Sequence, residues 1–241
     1  MSNRSGKSNL WVCDAEGKNL MELTDGLYLD TPRWSPDGRL IVFSSLESGN
    51  ADISVIDANG GAVRRLTHDP SAETTPIWSP DGSWLYFGSN RTGRAEVWKM
   101  PAAGGSAVQL THGGGFNPIP SLDGHTVYYL RDEKEPWLWA VSAEGGVETG
   151  VLENPEPGKW LEPANWAVVQ HGIYFLEGKR GNPYTLKFFD FETRRTTLLT
   201  TFEPLTPFAM IGLTVAPDER SILYSRLEKF DFDLMLVENF H

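Results

Sequence analysis

A five-residue block constrains this chain more than any other feature. Trp34-Ser35-Pro36-Asp37-Gly38 returns as Trp78-Ser79-Pro80-Asp81-Gly82, loosens to Pro120-Ser121-Leu122-Asp123-Gly124, and reappears as Val215-Ala216-Pro217-Asp218-Glu219. Apolar runs recur with it: Leu40 to Phe43, Leu85 to Phe87, Val127 to Leu130, Ile173 to Leu176 and Ile222 to Tyr224. Their aromatic ends, Phe43, Phe87, Tyr129, Phe175 and Tyr224, stand 44, 42, 46 and 49 residues apart. A period in the forties marks a repeated supersecondary unit. The runs are short, β-branched or aromatic, and bounded by turn residues, which is strand chemistry. The 24 glycines and 16 prolines of the 241-residue chain fall at regular intervals and exclude long helices.

One period reads as four strands: Thr31 to Ser35, Leu40 to Ser44, Asp52 to Ile56 and Val63 to Thr67. Between the first two, Pro36 presets φ, Asp37 can bond its own backbone and Gly38 accepts positive φ, which makes a tight reversal. The second strands are apolar on both faces, so each sheet must be covered on both sides by like neighbours. Four-stranded sheets stacked in this way are propeller blades. The expected fold is therefore an all-β propeller of four-stranded antiparallel blades, one domain over residues 1–241. Its repeats lie near 31–67, 75–111, 117–152, 163–199 and 212–237. Five blades are visible, either the whole ring or part of a six-bladed one. Residues 9–24 supply only third and fourth strands. Because an open sheet edge leaves unpaired backbone groups, closure by the N- and C-terminal strands is expected, with Asn19 to Thr24 docked beside Leu234 to Val237. A competing expectation follows from the match between residues 2–12 and 89–99: the chain begins in mid-blade, as a piece of a longer protein.

The Trp-Ser-Pro-Asp-Gly turn, the Ser89-Asn90-Arg91-Thr92-Gly93 loop, and the Gly-Gly turn before a strand ending in Leu-Thr resemble the TolB-type β-propeller repeat. The resemblance is strong over residues 1–111 and looser afterwards, and the fourth unit departs furthest, with Val169-Gln170-His171-Gly172 in place of Pro-Asp-Gly. It implies a periplasmic or extracytoplasmic scaffold, or a sensory or accessory domain of a larger peptidase or membrane-anchored regulator. The segment Asp233 to Phe240 is similar to the end of such a regulator-borne propeller.

Composition narrows the function classes. The 21 basic and 32 acidic side chains give a net charge of −11, which repels a phosphate backbone, and the basic residues are scattered, so no nucleic-acid partner is expected. Cys13, the single cysteine, cannot form an internal disulfide or a cysteine-based zinc cluster. No run reaches the roughly 18 apolar residues that cross a bilayer, and Met1 to Gly6 is polar, unlike the core of a signal peptide; no membrane insertion is expected.

In this topology the strand-four to strand-one loops and the loops between strands two and three carry the variation, and loops on a rigid scaffold are the usual home of binding residues. The candidate partner- or ligand-binding residues there are Tyr28, Asp30, His68, Glu73, Arg91, His112, Phe116, Asn117, Arg131, Trp160, Glu162 and Phe208. Tyr28, Phe116, Trp160 and Phe208 are loop aromatics of the kind found in interaction surfaces. His68 and His112 both follow Leu-Thr, and duplication explains their repetition better than a shared metal does. The acids Asp30, Asp69, Glu73, Glu153, Glu156 and Glu162 could hold a cation but read more simply as solvated charge. Asp37, Asp81, Asp123 and Asp218 are accounted for by turn capping, and the third-strand openings Asp52, Glu96 and Asp233 by backbone or arginine hydrogen bonds within a blade. Nucleophile elbows, phosphate loops and paired zinc histidines are absent, so no catalytic residue, metal site or cofactor is expected. The favoured function is a non-catalytic binding or scaffold propeller that engages a protein partner or small ligand through its loop face. The alternative is a metal-dependent polysaccharide lyase or hydrolase-like propeller with its site at the channel mouth.

Overall fold

The computed structural model describes residues 9–25, 29–46, 49–131, 138–152, 160–178, 183–202, 212–216, 218–228 and 231–238. Among them there is no helix; every regular element is a strand. A short hairpin comes first, β1 (Trp11–Val12) with β2 (Met21–Glu22). Four-stranded sheets follow in chain order: β3 (Leu29–Trp34), β4 (Leu40–Ser45), β5 (Asp52–Asp57) and β6 (Arg64–Arg65); then β7 (Glu73–Trp78), β8 (Trp84–Ser89), β9 (Glu96–Pro101) and β10 (Val108–Gln109). The third comprises β11 (Phe116–Pro120), β12 (Thr126–Leu130), β13 (Leu138–Ser142) and β14 (Thr149–Gly150), and the fourth β15 (Trp160–Val168), β16 (Gly172–Gly178), β17 (Tyr184–Asp190) and β18 (Thr196–Phe202). A three-stranded sheet of β19 (Leu213–Val215), β20 (Ser221–Glu228) and β21 (Asp231–Glu238) ends the series. Each sheet is a meander in which consecutive strands pair, the arrangement of a propeller blade. The chain clusters into two compact units, residues 1–129 with 141–148, and residues 130–140 with 149–241.

The repeated pentapeptide explains itself in the structure. Gly38 takes φ 69° and its amide donates to the Ser35 carbonyl at 2.9 Å. Asp37 Oδ1 accepts from Ser35 Oγ at 2.6 Å and from the Arg39 amide at 3.1 Å, while Ser35 Oγ accepts from the Leu40 amide at 2.9 Å. Ser79 and Asp81 repeat the arrangement, and hydrogen bonds from Ser79 and then Ser83 hold the Asp81 carboxyl down at about 2. In the last copy Glu219 occupies the glycine position with φ 56°, a conformation that carries strain for a residue with a side chain.

Burial confirms the two-faced second strands. Side chains alternate along β4, so Ile41 and Phe43 join Leu10, Leu23, Leu29 and Ile56 on one face. Val42 points the other way, with Ile53, Val55 and Leu66, against Trp78, Leu85, Phe87 and Met100 of the next sheet. Each fully buried aliphatic or aromatic side chain of this kind contributes about 1.5–3 kcal/mol. In the second unit Tyr174, Leu176 and Leu186 pack likewise on Leu213 and Ile222. Trp78 Nε1 also donates to the Arg33 carbonyl of the preceding first strand at 3.2 Å.

β2 pairs with β1, with Trp11 opposite Glu22, and Asp14 and Gly17 close the turn between them; β19–β21 form a three-stranded sheet. One expectation needs correction. Three of the fourth strands, β6, β10 and β14, are shorter than their sequence suggests, whereas β18 runs on to Phe202. Leu66 and Thr67 both donate to the Ile53 carbonyl, at 2.7 and 3.4 Å, so the ladder ends at Arg65.

Candidate functional site

Third-strand openings organise the loop face of the first unit. Asp52, buried at the start of β5, receives Arg65 Nη2 at 2.7 Å and the Thr67 hydroxyl at 3.3 Å. Glu96, buried at the start of β9, receives Arg94 Nε at 2.6 Å, the Thr111 hydroxyl at 2.6 Å and the Gly114 amide at 3.1 Å. In both sheets the threonine hydroxyl also accepts a backbone amide, from Ile53 and from Val97, at 2.8 Å. Asp52 and Glu96 therefore do accept the arginine and within-blade hydrogen bonds expected of them. A buried carboxylate is tolerated because it is paired and hydrogen-bonded.

The two sheets differ in where the neutralising arginine comes from. Arg65 rises from β6, whereas Gln109 stands at the matching place on β10, its amide donating to the Thr111 carbonyl at 2.7 Å. Arg94 reaches Glu96 from the β8–β9 loop instead. Around that exchange lies an open hollow of about 460 Å³ lined by Thr92, Gly93, Arg94, Glu96, Gln109 and His112, within the usual range of ligand sites, about 300–1,000 Å³. Glu96 engages the Arg94 Nε–H, which leaves the terminal amino groups of a side chain 56% exposed as spare donors. The backbone beneath His112 is fixed: the His112 and Gly113 amides donate to Glu148 at 2.7 and 3.2 Å.

Glu73 is a departure from the repeat. Leu29, Glu73 and Gly115 occupy equivalent positions, as the amides of Glu73 and Gly115 show by donating to Ala51 and Ala95. Expected among solvated loop acids, Glu73 instead lies in β7 with no exposed surface. Its Oε1 accepts from Ser89 Oγ at 2.9 Å and Arg91 Nη2 at 3.1 Å, and Arg91 lies over the Trp98 ring at 4.5 Å. Burial pushes the Glu73 carboxyl up, and Ser89, Arg91 and Thr67 offset part of that rise.

The other sequence candidates are dispersed. Tyr28 and Phe208 lie outside the described residues. Asp30, Phe116 and Asn117 fall in first strands and not in loops, since β3 and β11 begin earlier than the sequence suggests; Asp30 is exposed and accepts the Thr31 amide at 2.8 Å. Trp160 and Glu162 likewise lie within β15. Arg131 stacks on Trp139 at 3.9 Å in the second unit. His68 is exposed at the place equivalent to His112. The structure thus joins Glu73 to Arg91, and sets His112 in the hollow with Arg94 and Glu96. Thr92 and Gln109 were missed as lining residues; the signal available was that Gln109 stands where Arg65 stands one period earlier. Among the described residues no group of three or more His, Cys, Asp or Glu is placed to hold a metal, and no helix is long and apolar enough to cross a membrane.

Comparison with known proteins follows the fold. The sequence profile of the TolB beta propeller domain matches residues 1–155. The chain is 39% identical over 65 residues to the uncharacterized peptidase YuxL of Bacillus subtilis, which covers 26% of this chain and 10% of that protein; the chain thus matches only a small part of this relative's length. TolB from Acinetobacter baumannii superposes with a TM-score of 0.78 at 18% identity, over 95% of this chain and 57% of that one. An oligogalacturonate lyase in complex with manganese superposes with a TM-score of 0.55 at 13% identity, over 92% of this chain and 78% of that one.

Proposed function

The chain belongs to the TolB β-propeller domain family, and we propose that it acts as a binding module that engages a protein segment or small ligand through the loop face of its first unit. The observation that carries this reading is the hollow beside β9 and β10. The recurring Ser, Asp, Thr and Gly residues are consumed by turns and strand ends, while Arg94 and Gln109 depart from the repeat and, with His112, line a concavity of ligand size. Arg94 supplies charge-assisted donors, so groups rich in acceptors, such as peptide carbonyls and carboxylates, suit the site.

The test is a selection of binders from a displayed random peptide library, followed by competition on Arg94→Ala and His112→Ala variants. Selected peptides should weaken by about tenfold on Arg94→Ala, roughly the value of one charge-assisted hydrogen bond. Binders indifferent to both substitutions would remove the hollow from consideration. A second reading, a metal-dependent lyase-like propeller, draws on the likeness to the manganese-bound oligogalacturonate lyase. Stoichiometric manganese in the purified protein would favour it.

A further inference from the structure

The first strands of the first three sheets share a break that the pentapeptide does not explain. Thr31, Thr75 and Asn117 stand 44 and 42 residues apart, each directly before a proline, Pro32, Pro76 and Pro118. All three have left-handed backbones, with φ 47°, 51° and 51°, and the pairing slips beside the two threonines, between Asp30 and Arg33 and between Thr74 and Ile77. For a β-branched threonine this conformation carries strain, and such strain persists only where the surroundings enforce it. The prolines meanwhile have no amide hydrogen to donate at these positions.

What the break accomplishes is to turn side chains inward. Thr31 Oγ1 and Thr75 Oγ1 are both buried with no hydrogen-bonding protein group in reach. Both line one small cavity, together with Arg33, Ile77, Asn117 and Ile119. Buried hydroxyls are rarely left unsatisfied, and where protein supplies no partner, ordered water commonly does. The cavity offers about 10 Å³ to the centre of a water molecule, which is about room for one. Its chemistry favours the same occupant. Hydroxyls can donate and accept at once, as water requires, whereas a hard cation needs six to eight oxygens and would meet Arg33 in the wall.

We propose that this cavity is a binding site for a single ordered water, held between Thr31 Oγ1 on β3 and Thr75 Oγ1 on β7. The water would link consecutive first strands through their threonine hydroxyls. A crystal structure of the full chain, at a resolution where ordered solvent is visible, tests this directly. A peak within about 2.7–3.2 Å of both hydroxyls is the expected result, with the peak lost in Thr75→Val and kept in Thr75→Ser. An empty cavity in the wild type, or a peak that survives in Thr75→Val, overturns the proposal. Should the valine variant fail to fold, the wild-type density decides alone.

Discussion

Replacing Thr111 with valine removes one oxygen and tests the way each third strand is anchored. The hydroxyl of this fully buried residue accepts the Val97 amide at 2.8 Å and donates to Glu96 Oε2 at 2.6 Å. Valine keeps the shape and leaves a buried amide unsatisfied, which costs about 1–3 kcal/mol, and it deletes a hydrogen bond to a charged group worth about 1.5–3 kcal/mol. Glu96 retains Arg94 and Gly114, so the lower half of each range applies and the sum is about 3 kcal/mol. At about 2–4 °C per kcal/mol for a chain of this size, Tm should fall by about 6–12 °C. The control is Thr24→Val. Thr24 also accepts a third-strand amide, from Leu10 at 2.9 Å, but the neighbouring acid Glu22 is engaged by Asn9, so the loss should be about 1–2 kcal/mol. Urea unfolding followed by tryptophan fluorescence measures both. If Thr111→Val lies within about 0.5 kcal/mol of wild type, the ordinary scatter of surface changes, or costs no more than the control, the anchoring argument fails.

Glu73→Gln should change the pH dependence of stability. A carboxyl raised above its ordinary value of 4.5 contributes stability that is fully present below that value and is lost as pH rises through the raised one. Relative to the glutamine variant, wild type should therefore lose ground as pH rises above 4.5; a gap that stays constant as pH rises refutes the assignment. Gly115→Ala should destabilise by about 1–3 kcal/mol, because the new methyl would stand 2.8 Å from Thr111 Oγ1 and 3.0 Å from Tyr129 and Val97 side-chain atoms. Gly88→Ala, at 3.3 Å from Thr74 Oγ1, should cost less, and equal unfolding midpoints for the two would contradict this account.

The legible parts of the fold were the local ones. Ser35, Asp37 and Gly38 settle their turn within five residues, and the apolar second strands announce burial on both faces. Glu73 was misplaced because its environment is set by Arg91, Ser89 and Trp98, which arrive from β8, β9 and the loop between them. The breaks at Thr31, Thr75 and Asn117 went unread although their Thr-Pro and Asn-Pro pairs recur at the blade period. A proline near a strand start is easily absorbed as an edge feature, and nothing in its identity announces the positive φ before it. Which segment completes the last sheet was not legible, because an open edge creates a demand for a partner but does not specify which segment meets it.

The exchange between Arg65 and Arg94 has a consequence for how such an array can diverge. The interior carboxylate demands one positive charge, and either flank can deliver it. A lineage can then move the guanidinium from the outer strand to the loop, vacate the position it left, and gain a recess there while the interior stays solvent-tight. Recognition surfaces could in this way be rewritten one repeat at a time, with neighbouring repeats untouched.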